Sequence, residues 1–145
     1  MDRYFEDIEI GATHRSGTLT VTEESIIAFG REYDPQPFHT DPEAAKNTIF
    51  GRLIASGWQT TAWTMSLIVE SGGGGLGMGV DELRWKKPVF PGDTLHVVTE
   101  IIEKRPSSTR PNGIVKMRVT TYNQNDEPVL TEITNVMFPR RPGAA

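Results

Sequence analysis

Ser56-Gly57-Trp58-Gln59-Thr60-Thr61-Ala62-Trp63-Thr64-Met65-Ser66-Leu67-Ile68-Val69-Glu70 is the stretch on which the fold turns. It contains no proline, and it is bounded by Gly57 at its start and Gly72 just past its end, so it predicts one long helix. Trp58, Ala62, Trp63, Met65, Leu67, Ile68 and Val69 surround most of the circumference instead of forming one stripe. A helix apolar nearly all round is expected to be buried. After the glycines the period changes to that of strands. Val80 to Lys87 reads as a strand closed by Pro88, and the turn Pro91-Gly92-Asp93 leads into another from Thr94 to Glu103. Pro111-Asn112-Gly113 separates that run from Ile114 to Asn123, where Val115, Met117 and Val119 alternate with Lys116, Arg118 and Thr120. Such alternation marks a half-solvated antiparallel strand. Asn125-Asp126-Glu127-Pro128 then turns the chain into Val129 to Phe138. One buried helix followed by strands joined through tight turns describes an α+β domain whose antiparallel sheet wraps the helix.

The first third is mixed. Thr18 to Val21 reads as a short strand, and Thr22 follows as a helix N-cap with Glu23 and Glu24 in the first turn. Ile26, Ile27 and Phe29 give that helix an apolar side, and it must stop before Pro35. Asp41-Pro42-Glu43 repeats the pattern, a capping aspartate before a proline at the first helical position. Residues 71–79 read as a flexible turn: no Lys-Ser or Lys-Thr follows the glycines, which excludes a phosphate loop. The 145 residues suit one domain, 1–145, with 139–145 as a flexible tail. Fifteen Lys and Arg against 19 Asp and Glu give a net charge of −4, which argues against nucleic acid as the main partner. With no cysteine, disulfides, thiolate nucleophiles and sulfur-ligated metals are excluded. The acidic start Met1-Asp2-Arg3-Tyr4-Phe5-Glu6-Asp7 carries no signal-peptide core, and no apolar run is long enough to span a bilayer. The expectation is a soluble, cytoplasmic protein with no membrane partner.

Two segments carry chemistry. In Tyr33-Asp34-Pro35-Gln36-Pro37-Phe38-His39-Thr40-Asp41, a carboxylate and an imidazole lie five positions apart on a loop stiffened by two prolines. An acid–base pair needs such stiffness, because catalytic positioning tolerates little error. Taken alone, the same residues are better read as a turn-capping carboxylate and a hydrogen-bonded core imidazole. The second segment, Phe50-Gly51-Arg52-Leu53-Ile54-Ala55-Ser56-Gly57, runs straight into the long helix. Gly57 therefore sits at a helix N-terminus, where backbone N–H groups lack partners and no Cβ obstructs a ligand carbonyl. That suits an oxyanion hole. It suits equally a glycine kept small for packing of Trp58 against the sheet.

Together these segments resemble the MaoC-like dehydratases, which include the (R)-specific enoyl-CoA hydratases with a hot-dog fold. The family signature of Asp, a spacer, Asn-Pro, an aliphatic residue and His is matched by Asp34 to His39, followed by Asp41, Ala44 and Ala45. The glycine-containing approach to the central helix matches Gly51 to Gly57, and Pro88-Val89-Phe90-Pro91-Gly92-Asp93 matches a second characteristic turn. The resemblance covers Phe5 to Phe138. It implies that Asp34 and His39 are the catalytic pair that activates water, and that the Gly57 N–H receives the thioester oxygen. Gln36 stands where the family has Asn, and Ser56 where a His is common, so both are expected to shape substrate binding. Arg84, Lys86 and Lys87 form a basic cluster that could meet coenzyme A phosphates, although a solvated strand face explains them as well. His14 and His96 are isolated and show no metal-ligand spacing. The implied reaction is hydration of a 2-enoyl-CoA to the 3-hydroxyacyl-CoA, or its reverse, without metal or redox cofactor. The alternatives are a hot-dog acyl-CoA thioesterase and a non-catalytic acyl-CoA-binding subunit. Hot-dog proteins pair two sheets, so a homodimer or larger homo-oligomer with acyl tunnels near the interface is expected, which also covers exposed strand edges.

Overall fold

The alternation read in residues 114–123 places the sheet. In the computed structural model, which describes residues 3–144, β4 (Asn112–Tyr122) buries Val115, Met117, Val119 and Thr121 on one face. Met1 and Asp2 of the acidic start and Ala145 of the tail lie outside the described residues. β4 is the middle strand of five, in the order β1 (Thr13–Thr20), β3 (Thr94–Pro106), β4, β5 (Pro128–Pro139), β2 (Leu76–Trp85), with every neighbouring pair antiparallel. Register sets Val115 opposite Val136, Val119 opposite Glu132 and Thr121 opposite Leu130, so these side chains share the inner face.

The described residues also form a short 3-10 turn (Phe5–Asp7) and four α-helices: α1 (Glu23–Tyr33), α2 (Pro37–Thr40), α3 (Pro42–Ala45) and α4 (Gly57–Glu70). The caps expected at Thr22 and Asp41 are present, and Ser56 is a third. Thr22 Oγ1 accepts from the Ser25 N–H, Asp41 Oδ1 from Glu43 and Ala44, and Ser56 Oγ from Trp58. α4 lies on the inner face of the sheet, tied to β4 by a 2.6 Å hydrogen bond between the buried Thr64 and Thr121 hydroxyls. Leu67 joins Leu95, Val97, Ile101, Val119 and Val136 in the core.

The structure corrects four expectations. α4 is not buried all round. Its inward face is Gln59, Thr60, Thr64 and Leu67, whereas Trp58, Met65 and Val69 are about half exposed. Two of the inward polar side chains find partners there: Gln59 Nε2 donates to the Ser25 carbonyl, and Thr64 bonds both Thr60 O and Thr121. The glycine-rich stretch is a turn only as far as Gly75, since Leu76–Gly79 already pair with β5. The loop between Asp34 and His39 contains a helical turn, α2, begun by Pro37 at its first position. The tail segment is anchored at its start, because Arg140 and Arg141 form ion pairs with Glu6 and Asp7. No helix among the described residues is long and apolar enough to cross a membrane.

Candidate active site

Asp34 and His39 are brought together by one sharp reversal of the chain. α1 ends at Tyr33, Asp34 adopts a non-helical conformation as its C-cap, and Gln36 is the N-cap of α2. α1 and α2 approach closely at Gly30, where a Cβ would fall 2.5 Å from the His39 carbonyl oxygen. His39 is buried, with its Nδ1 2.8 Å from the Ile54 carbonyl oxygen. Residue 54 is held in turn by its own N–H, which donates to the Phe38 carbonyl. A carbonyl only accepts, so Nδ1 carries the hydrogen and Nε2 is the nitrogen left to exchange a proton. That Nε2 lies 3.3 Å from Asp34 Oδ2.

Asp34 is gripped from three sides. Gln36 Nε2 donates to Oδ1 at 2.6 Å, Ser56 Oγ donates to Oδ2 at 2.8 Å, and the His39 ring faces the same Oδ2. Burial pushes the Asp34 carboxyl up. The Gln36 and Ser56 hydrogen bonds, with the positive charge of His39 when its ring is protonated, outweigh it and hold the group below the ordinary aspartate value. Asp34 is therefore an anion at neutral pH with its lone pairs largely engaged. A proton taken from water by Nε2 would leave an imidazolium beside that anion, which is a favourable product of the transfer.

Asp34, Gln36, His39 and Gly57 line one cleft of about 660 Å³, walled by apolar groups that include Phe38, Phe50, Val89, Trp58 and Trp85. In the first turn of α4, Trp58 N–H is capped by Ser56 Oγ, and the Gln59 and Thr60 N–H groups donate to the Ser56 carbonyl. Among the described residues the Gly57 N–H has no such partner, so it is open to a ligand oxygen. Gly57 also meets a packing demand, but from Trp85 rather than Trp58: a Cβ on Gly57 would lie 2.3 Å from the Trp85 indole.

The other expected residues divide. Ser56 is fully buried behind the cleft and reaches Asp34, not the open space. Lys86 and Lys87 line the cleft, with Lys87 ion-paired to Glu127. Arg84 does not line the cleft. It lies inside β2 opposite Thr131, and its guanidinium donates to the Leu83 carbonyl, whereas Lys86 and Lys87 follow the end of the strand. Trp85 and Thr60 are cleft residues with no sequence signal of their own, since each is placed there only by the meeting of β2 and α4. Among the described residues no group of three or more His, Asp or Glu side chains is placed to hold a metal.

The solved MaoC-like dehydratase of Rhodospirillum rubrum superposes with a TM-score of 0.91 at 41% identity, covering 97% of this chain and 99% of that one. R-hydratase PhaJ1 of Pseudomonas aeruginosa gives a TM-score of 0.76 at 28% identity, covering 95% of this chain and 86% of that one. The mesaconyl-CoA hydratase of Cereibacter sphaeroides is 41% identical over 68 residues, which are 47% of this chain and 20% of that protein. The fold is thus the hot-dog α+β fold of these hydratases and dehydratases. The model of the MaoC like domain matches residues 7–123, a span that holds both halves of the site from Asp34 to Gly57, and the chain belongs to that family.

Proposed function

We propose that this protein adds water across the 2,3 double bond of a 2-enoyl-CoA thioester, and runs the reverse dehydration. The observation that carries the reading is the convergence of the Asp34–His39 pair and the partnerless Gly57 N–H on one cleft. Water held between Asp34 and His39 Nε2 loses a proton to the pair as its oxygen bonds to Cβ. The π electrons move toward the carbonyl, and negative charge gathers on the thioester oxygen, where the Gly57 N–H and the α4 N-terminus stabilise it. The enolate then takes a proton at Cα, so one water is consumed and no group leaves. Neither step requires a redox cofactor or a metal.

Lys86 lines the cleft and forms no ion pair among the described residues, which fits it to the phosphates of coenzyme A. The second half of the reading is assembly. Met65 and Val69 on the outer face of α4 are exposed, and so are Leu76, Met78 and Val80 of the edge strand β2. A second copy of the chain laid on that face would bury it and pair the free β2 edge. The deciding experiment offers enoyl-CoA thioesters of graded length and follows loss of the conjugated-thioester absorbance and release of free thiol in parallel. Hydration without thiol release is expected. Thiol release without hydration would replace this reading by a thioesterase.

A further inference from the structure

Ser56 stands at the joint between the two halves of the site. Its side chain is wholly buried, so it cannot touch a substrate in the cleft. Its hydrogen-bonding capacity is nonetheless spent on two functional neighbours. The backbone N–H of Trp58 can only donate, so at 3.3 Å it uses a lone pair of Ser56 Oγ. The carboxylate of Asp34 can only accept, so at 2.8 Å it takes the single hydroxyl hydrogen. The carbonyl of the same residue accepts from Gln59 and Thr60 and so begins α4. One hydroxyl thereby ties Asp34 to the cap of α4, next to the Gly57 N–H.

We propose that Ser56 is a positioning residue, whose hydroxyl locks the Asp34 carboxylate in register with the Gly57 N–H so that water and thioester oxygen are presented to one bound substrate. The groups facing Asp34 are few. Gln36 and His39 come from α2 and its cap, and Ser56 comes from the start of α4. Tyr33, Lys86 and Lys87 line the same cleft, Lys87 being paired with Glu127. Loss of the Ser56 hydroxyl leaves Oδ2 with His39 alone. The carboxylate then gains freedom to swing, and its charged form loses a donor. A misplacement near one ångström is enough to slow a reaction about 10²-fold.

Ser56→Gly is the informative variant, because glycine serves nearly as well as serine at an N-cap while removing the hydroxyl. Expected is a fall in kcat of roughly 10²-fold with KM little changed. The acid limb of the pH–rate profile should move to higher pH, and Ser56→Thr, which keeps the hydroxyl, should restore both. The Asp34 carboxyl is also titrated directly by carbon-13 NMR without substrate, where its midpoint should rise in Ser56→Gly. If Ser56→Gly does not fold, Ser56→Cys, close in size and a weak donor, takes its place with the same expected direction. An unmoved Asp34 titration in the folded variant would reduce Ser56 to a helix cap and overturn the proposal. The proposal rests on the hydratase reading only for its kinetic arm. A wild-type protein that hydrates no enoyl thioester would sink that reading, while the substrate-free titration would still decide the role of Ser56.

Discussion

Gly57→Ala places a methyl group where the Trp85 indole already lies. The added Cβ would stand 2.3 Å from Cδ2, 2.5 Å from Cε2 and 2.8 Å from Cε3 of that ring. Carbon atoms rest comfortably at about 3.5–4.0 Å, so the indole must withdraw by more than roughly an ångström. Two contacts hold it in place: the Nε1–H donates to Thr61 Oγ1 at 3.1 Å, and the ring meets Trp58 edge to face with centroids 5.1 Å apart. The hydrogen bond is worth about 1 kcal/mol and the aromatic pair about 0.5–1.5 kcal/mol. Trp85 is half exposed and can retreat into solvent, so the full penalty of an overpacked core does not apply. A destabilisation of about 2 kcal/mol follows, at the middle of the range for inserted methyl groups. The thermal midpoint should fall by roughly 5–10 °C. In the double variant Gly57→Ala/Trp85→Ala the methyl has room, so the cycle should return a coupling of about 1–2 kcal/mol. Alanine keeps the backbone N–H. The double variant should therefore turn over as fast as Trp85→Ala alone, whereas a blocked oxyanion site would leave it about 10²–10³-fold slower. An unchanged midpoint for Gly57→Ala, or a cycle with no coupling, would refute the contact and the reasoning built on it.

Asp34→Asn and His39→Ala should each lower turnover by about 10²–10⁴-fold while circular dichroism shows a folded protein; near-normal hydration by either variant would remove that residue from the chemistry. Because the folded Asp34 carboxyl lies below its ordinary value, its contribution to stability is present at neutral pH and is lost as pH falls through the folded value. Chemical denaturation across the acid range should find Asp34→Asn less sensitive to acid than the wild type. Glu132 presents the opposite sign: it is 4% exposed, its Oε2 has no partner among the described residues, and burial pushes the carboxyl up. Stability is then lost as pH rises through the folded value, and Glu132→Gln should flatten that decline and raise the midpoint at neutral pH; superimposable pH curves would count against it. Val69→Lys with Met78→Lys puts two charges on the exposed apolar face outside the cleft, and light scattering should show a dimeric wild type and a monomeric variant.

Local signals suffice where a structural choice is made within a few residues. Thr22, Asp41 and Ser56 each cap a helix whose start can be read from a polar residue before an apolar or proline-led run. The alternation from Val115 to Thr121 survives intact in β4, because a strand with one wet face cannot slip by one residue without exposing its core side. Asp34 and His39 are legible for a similar reason, since they lie only five positions apart. Sequence fails where the deciding partner is distant. The inward side of α4 is set by Ser25 and Thr121, 34 and 57 residues away, which satisfy Gln59 and Thr64. Hydrophobicity alone counts Trp58, Met65 and Val69 as core, although within one chain they are surface. Gly77 and Gly79 are loop-like by composition, yet pairing with Val136 and Asn135 makes them strand. Trp85 reaches Gly57 only after β2 has shifted register between Asp81 and Arg84. Ser56 shows both regimes in one side chain. Its cap to Trp58, two residues on, is written locally, but its hydroxyl hydrogen goes to Asp34, 22 residues back, and that second bond separates a residue that touches substrate from one that holds the residue that does.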